Sequence, residues 1–303
     1  MRYISPVELF ICHNRRLETE LSRTLSVEQQ ARRYRQFQTD MQTVLITGAT
    51  SGIGLTIANR LHNNRIKVYG TSRFPDKHQD KVGFELLPLD ITSETSIHNC
   101  IGLFLSKSIT LDALINNAGI GVCGSAEETS AELADKQFQT NFWGAVHVTK
   151  AILPIMRQQR HGKIITIGSL AGLIGVPFQS FYAASKHALE GFFKSLRFEI
   201  KSFNIKVSVV EPGFFKTNLH HAFEFATPSI SDYDTIRANA LEVFSNSINN
   251  APTPEPVAEA ILKILHSKNP RFSYRIGSDA KTLPFLQFAF NRLFEIGTAR
   301  KFK

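Results

Sequence analysis

The stretch "FYAASK", residues 181–186, sets a phenol and an ammonium four residues apart. In a helix that spacing puts Tyr182 and Lys186 on one face. A free phenol titrates near ~10, too high for ready proton exchange at neutral pH. A neighbouring ammonium stabilises the phenolate and lowers that value, as a general acid or base requires. Two polar residues that merely share a helix surface would show the same spacing, so the pair does not settle its own meaning. Ser169, thirteen residues upstream of Tyr182, adds a hydroxyl that could serve the same reaction.

Such chemistry needs elements that hold it in place. "VLITGATSGIGLTIANRL" (44–61) reads as a strand, a glycine turn and a helix. Gly48 permits the tight turn, Gly52 lets backbone approach a pyrophosphate, and Gly54 lets the new helix pack on the strand. Exposed loop N–H groups and the helix dipole then favour the anion, and Thr50, Ser51 and Ile53 complete the binding loop. Further apolar runs read as strands: "TVLIT" (43–47), "KVYGT" (67–71), "FELLPLD" (84–90), "LDALIN" (111–116), "KIITIG" (163–168), "KVSVVEP" (206–212) and "RFSYRI" (271–276). They are rich in Val, Ile and Leu with little alternation, as in strands buried on both faces. The segments between them are long enough for helical crossovers. The expected fold class is α/β, a doubly wound parallel sheet in three α/β/α layers, the Rossmann arrangement.

The end of the second strand selects between nicotinamide dinucleotides. An acid there accepts from a ribose 2′-hydroxyl, whereas a cation suits a 2′-phosphate. In "VYGTSRFPDK" (68–77) Ser72 stands where the acid would be, Arg73 follows, and Asp76 comes too late. Arg73 can bind a phosphate bidentately, with Ser72 adding a hydroxyl. The expectation is NADP(H) in preference to NAD(H); a solvated loop charge at Arg73 is the plainer alternative.

At this point the chain resembles the short-chain dehydrogenase/reductase family, in its shorter single-domain branch. The glycine spacing T-G-x-x-x-G-x-G (Thr47 to Gly54), "LDIT" with Asp90, "NNAG" (116–119), "TNFWG" with Asn141, "IGSLAG" with Ser169, "YAASK" and "PGFFKT" (212–217) occur in the family's order. The resemblance spans roughly residues 42–280 and is strongest toward 17β-hydroxysteroid and retinol dehydrogenases. It implies that Tyr182 donates the proton to a carbonyl oxygen. It implies that Ser169 holds that oxygen, Lys186 holds the nicotinamide ribose and tunes Tyr182, and Asn141 positions a water that links Lys186 to solvent. It also implies cofactor contacts at Asp90, Ile91, Asn117, Ala118 and Gly119, and at Pro212, Gly213, Phe215 and Thr217. A homodimer or homotetramer follows from the same resemblance.

Residues 213–253 form a long excursion between Pro212 and the helix starting near Pro254, expected to be a substrate lid. Phe214, Phe215, Leu219, Phe223 and Phe225 crowd its start, with Val176, Pro177 and Phe178 opposite. An apolar cleft follows, suited to a bulky apolar ketone or aldehyde, with Ser169, Tyr182, Phe214 and Leu219 against the substrate. Other candidates are weaker. His187 reads as a packing or surface residue, His220 and His221 as a surface pair, Cys123 as an unreactive thiol, and Trp143 as a core or helix–helix contact.

The remaining composition bounds the surroundings. The 303 residues are 43% hydrophobic, enough for a sizeable core. Three widely spaced cysteines without CxxC argue for reduced thiols and a cytoplasmic setting, and no metal-ligand cluster appears. From Lys263 to Lys303 nine Lys/Arg face two acids, a net +7 out of the chain's +9. Charge this localised argues against a nucleic-acid binder and for a basic tail facing an anionic surface. The expected organisation is a helical extension over 1–40 (Leu17, Leu21 and Leu25 on one stripe), a nucleotide-binding catalytic domain over 41–277, and a basic amphipathic helix over 278–303. That helix is expected to start near Pro284 and stop at Gly297, and to shield a cleft or touch a membrane peripherally. A non-catalytic NADP(H)-binding protein that senses redox state in a partner complex is the rival reading. The complete set of Asn141, Ser169, Tyr182 and Lys186 speaks against it. A nucleotide-sugar epimerase or dehydratase is disfavoured by the glycine spacing.

Overall fold

The computed structural model describes residues 42–216 and 223–302. The expected extension over 1–40, with Thr217, Leu219, His220 and His221, lies outside the described residues. Seven parallel strands form the central sheet: β1 (Thr43–Ile46), β2 (Lys67–Ser72), β3 (Glu85–Pro88), β4 (Ala113–Asn116), β6 (Gly162–Ile167), β7 (Ile205–Pro212) and β9 (Ser273–Ile276), in the order β3-β2-β1-β4-β6-β7-β9. Each falls on an expected apolar run, with ends moved by a residue or two. At β4 the start is delayed because Asp112 turns its carboxylate to accept from Thr43 N at 2.8 Å.

Both faces of the sheet are covered, which is why its strands carry apolar side chains on both sides. One face packs on α2 (Glu94–Lys107), α4 (Gly144–Gln159) and α5 (Ser180–Glu199) through residues such as Phe104, Ile152 and Phe193. The other packs on α1 (Gly52–Asn63) and α7 (Glu255–His266) through Ile57, Leu61, Val257 and Ile261. Within β1, Leu45 enters the first core while Val44 and Ile46 enter the second. The order in which strands are added reverses between β1 and β4, and a crevice opens there at the strands' carboxyl ends.

A second, two-stranded parallel sheet was not foreseen. It joins β5 (Gly121–Cys123) to β8 (Phe223–Phe225) in the excursion after β7. Gly121 leaves room for the Phe223 ring, since a Cβ there would meet it at 2.3 Å. The excursion continues into α6 (Asp234–Asn249). Glu128, whose side chain is 1% exposed, ties it down by accepting from Ser125 N at 3.1 Å and Ile230 N at 2.8 Å and by pairing with Arg237. Burial works against the Glu128 carboxylate, but these donors outweigh it and hold its pKa at about 2.

The expected single C-terminal helix is two. α8 (Ser278–Ala289) begins before Pro284 and α9 (Asn291–Lys301) runs past Gly297, with the break at Phe290. The early start follows from Asp279, whose carboxylate accepts from Phe214 N at 2.7 Å, and from fully buried Ala280. The late end follows from Phe302, whose ring packs on Phe244. Leu283 and Phe294 pack toward Leu170 and Ile174, while Phe285, Phe288, Phe290 and Leu293 stay exposed, Phe288 at 91%.

Candidate active site

A cleft of about 710 Å³ lies over the carboxyl ends of β1, β2, β4, β6 and β7. Its floor is the turn between β1 and α1. Gly48 has φ +68°, a conformation glycine adopts without strain, and a Cβ there would come 3.0 Å from Ala118 Cα. Gly54 allows a close approach: a Cβ would sit 2.2 Å from Gly48 O and 2.3 Å from Asn117 Nδ2. The helix thus meets the glycine turn and the β4 loop rather than the strand surface alone. Asn117 Nδ2 donates to Thr47 O and Gly48 O, and Thr47 Oγ1 accepts from Asn117 N and Ala118 N. The Asn117 side-chain N–H groups therefore hold the turn, and the residue also lines the cleft. Ser51 gives α1 no side-chain cap and the first turn holds no acid, so its leading N–H groups are left for an anion.

At the end of β2, Ser72 Oγ accepts from Phe74 N at 3.1 Å, which keeps its proton available to donate. Arg73 is exposed, and among the described residues its guanidinium has no hydrogen bond or ion pair. Asp90 lines the same end of the cleft with Ile91. Burial pulls the Asp90 carboxyl up, but Thr92 donates to it through N at 2.9 Å and Oγ1 at 2.7 Å and Arg73 adds its charge, so it titrates below the ordinary value.

Ser169 leaves β6 and Tyr182 and Lys186 lie in the first turns of α5, so the sheet end and the helix bring the three together in the cleft. Lys186 is 7% exposed, donates from Nζ to Ile167 O at 2.9 Å, and lies 5.8 Å from the Tyr182 ring centroid. Burial pushes its ammonium down to about 8, and the Glu190 carboxylate one turn on pulls it back up. Burial also raises Tyr182, and the Ser169 hydroxyl opposes that rise. The Lys186 ammonium is thus engaged on the Ile167 carbonyl beside the buried phenol.

Asn141 sits behind the cleft rather than in its wall, in a π-turn (Gln139–Trp143) that follows α3 (Ala131–Phe138). Its Oδ1 accepts from Ile120 N at 2.8 Å, and its Nδ2 donates to Ile120 O at 3.0 Å and Ser185 Oγ at 3.3 Å. Both amide hydrogens and one oxygen lone pair are engaged, so the side chain braces the loop after β4 against α5.

Of the expected cleft residues, Gly48, Thr50, Ser51, Gly52, Ile53, Gly54, Ala118, Gly119, Pro212, Gly213, Phe214 and Phe215 line the cavity with those above. Val176, Phe223, Phe244 and Ile248 form its apolar end, while Phe225 points away and is half exposed. Phe244 and Ile248 were missed because helix α6 brings them in from far along the chain. Lys136 and Glu224, ion-paired at 2.5 Å, also line the cleft and were missed, since each reads locally as a surface charge. Cys123 is buried in the lid cluster with Phe178 and Phe244, and burial pushes its thiol up to about 11. His187 Nδ1 bonds Ala183 O on its own helix, and exposed Trp143 stacks on His147.

Comparison with known proteins follows the same lines. The sequence profile of the short chain dehydrogenase family matches residues 42–226. A 3-ketodihydrosphingosine reductase from Bacteroides thetaiotaomicron is 39% identical over 238 residues, 78% of this chain and 88% of that protein. Retinol dehydrogenase 8 from Bos taurus is 36% identical over 252 residues, 76% of this chain and 79% of that protein. Among solved structures, a short-chain dehydrogenase from Streptomyces avermitilis superimposes with a TM-score of 0.75 at 29% identity, covering 86% of this chain and 97% of its own.

Proposed function

Because the chain belongs to the short-chain dehydrogenase/reductase family, we propose that it is an NADP(H)-dependent oxidoreductase that interconverts a bulky apolar ketone or aldehyde and its alcohol. One observation carries this reading: Ser169, Tyr182 and Lys186 meet at one end of a cleft whose other end is a glycine turn and an uncapped helix N-terminus. The dinucleotide fits these residues. The open N–H groups of α1 would take the pyrophosphate, the Arg73 guanidinium the 2′-phosphate, and Lys186 the ribose hydroxyls. The bound cofactor supplies the hydride. Tyr182 gives its phenolic proton to the carbonyl oxygen as the carbon becomes an alcohol, and Ser169 holds that oxygen by a hydrogen bond. Lys186, as an ammonium, lowers the cost of the phenolate left behind.

The substrate class rests on the wall of Val176, Phe214, Phe223, Phe244 and Ile248. Apolar side chains favour an apolar ligand because they offer no hydrogen bonds to replace water. Similarity to a 3-ketodihydrosphingosine reductase and a retinol dehydrogenase supports a long or flat apolar carbonyl. NADPH and NADH oxidation measured side by side on steroid, retinoid, long-chain and small polar carbonyls tests the assignment. Turnover confined to small polar aldehydes would overturn the apolar class.

We place the protein in the cytoplasm with peripheral membrane contact through α8 and α9. Among the described residues no helix is long and apolar enough to cross a membrane. The exposed Phe285, Phe288, Phe290 and Leu293 lie among Lys281, Arg292, Arg300 and Lys301, a pattern suited to an anionic lipid surface. We also infer a homodimer or homotetramer with exposed Trp143 at the contact, which sedimentation of wild type and Trp143→Ala would test.

A further inference from the structure

The stripe of Tyr182 and Lys186 continues one turn along α5 to Glu190. Glu190 Oε1 is buried and has no hydrogen-bond partner. It lies against the end of β6, where a Cβ added to Gly168 would be 3.0 Å away. Gly168 separates Ile167, whose carbonyl takes Lys186 Nζ, from Ser169. The Val210 carbonyl is 3.4 Å from the same point, so the end of β7 closes the other side. There Glu211 is 1% exposed, and its Oε2 also lacks a partner.

Two buried carboxylates that act on each other's charge are costly to ionise together, and one proton on the pair removes the repulsion. Their surroundings differ. Burial raises Glu211, but the Ser273 hydroxyl, the Tyr274 N–H and its cross-strand neighbour Arg275 support its charge. Burial and then the Glu211 charge push Glu190 up to about 8, against the pull of Lys194, Lys186 and Arg275.

We propose that Glu190 and Glu211 form a buried acid pair that holds one proton at neutral pH, on Glu190, and that this pair governs the charge of Lys186. The second half rests on the reading of Lys186 as the group that supports the Tyr182 phenolate. Neither acid touches the reacting atoms; both act through Lys186 as positioning residues. When Glu190 ionises, a negative charge appears one turn from Lys186 and holds its proton to higher pH. A permanently neutral amide at 190 removes that support, so Lys186 loses its proton at lower pH.

Infrared titration of the full chain, with no cofactor or substrate added, tests the pair directly. A protonated-carboxyl band present at pH 7 in wild type and absent from Glu190→Gln is expected. Its absence from wild type, or its persistence in that variant, overturns the pair. Should Glu190→Gln fail to fold, Glu211→Gln must lose the band at lower pH than wild type; a band that titrates unchanged overturns the pair equally. The control of Lys186 is read from kcat/KM for carbonyl reduction against pH. Glu190→Gln should move the alkaline limb down by about one pH unit, the effect of one nearby charge, with Glu190→Asp restoring part of it. An equal loss at every pH with an unmoved limb assigns Glu190 a packing role and overturns this half. A chain with the infrared band and no turnover on any carbonyl keeps the pair and fails only the oxidoreductase reading.

Discussion

Asp279 accepts a hydrogen bond from Phe214 N at 2.7 Å, and its carboxylate fills the space where Gly213 would carry a Cβ. A residue at the start of the basic C-terminal helices therefore pins the Pro212–Phe214 segment that lines the cleft. The contact ties the apolar end of the candidate site to the surface proposed to face lipid.

Tyr182→Phe keeps the ring and removes the proton. We expect kcat to fall by about 10²–10⁴-fold, the range for a lost general acid, while NADPH binding changes little. Turnover and fluorescence titration of bound NADPH check both parts, and near-normal turnover would end the proposed mechanism.

Arg73→Asp should separate the two cofactors. Loss of a charge-assisted contact to the 2′-phosphate costs about 1.5–3 kcal/mol, so the Kd for NADPH should rise at least about tenfold. The Kd for NADH should change far less. Equal losses for both would remove the NADP(H) preference.

Carbonyl reduction needs the ammonium at Lys186 and the phenol at Tyr182. Burial sets the Lys186 ammonium at about 8, so that proton is lost as pH rises through this value. We expect kcat/KM to be level below it and to fall above it. Stopped assays in a constant-ionic-strength buffer series would show this, and a profile rising through pH 9 would contradict it.

Glu128 should hold the lid in a pH-dependent way. Its folded carboxyl titrates at about 2, below the ~4.3 of an unfolded chain. The stability it contributes is complete above the unfolded value and is lost as pH falls through the folded one. Pepsin should therefore nick residues 223–253 increasingly as pH drops through that window. Glu128→Ala, which leaves Arg237 Nη1 and two N–H groups without their acceptor while Asp234 still holds Arg237 Nη2, should cost about 1–3 kcal/mol, read by chemical denaturation.

The tail gives a binding prediction. Replacing exposed Phe285, Phe288 and Leu293 together by Ser should reduce flotation with anionic liposomes, and high salt should weaken the wild-type interaction. These substitutions spare Asp279 and Ala280, so the cleft contact stays intact. Equal recovery of wild type and variant from solution would remove the membrane reading.

The sequence by itself determined the sheet, the glycine turn and the Tyr182–Lys186 pair, because each is written in contiguous residues. A buried parallel strand needs an apolar run, a tight turn against a helix needs glycine at Gly48 and Gly54, and two groups on one helix face need a spacing of four. Only the tertiary structure decided what comes from distant segments. It brought Phe244 and Ile248 into the cleft, paired Lys136 with Glu224, broke the tail helix at Phe290 and turned the Asn141 and Asn117 amides to bracing loops. It also set the balance of burial and charge at Lys186 and Glu190. Desolvation depends on what surrounds a side chain in three dimensions, and neighbours along the chain do not carry that information.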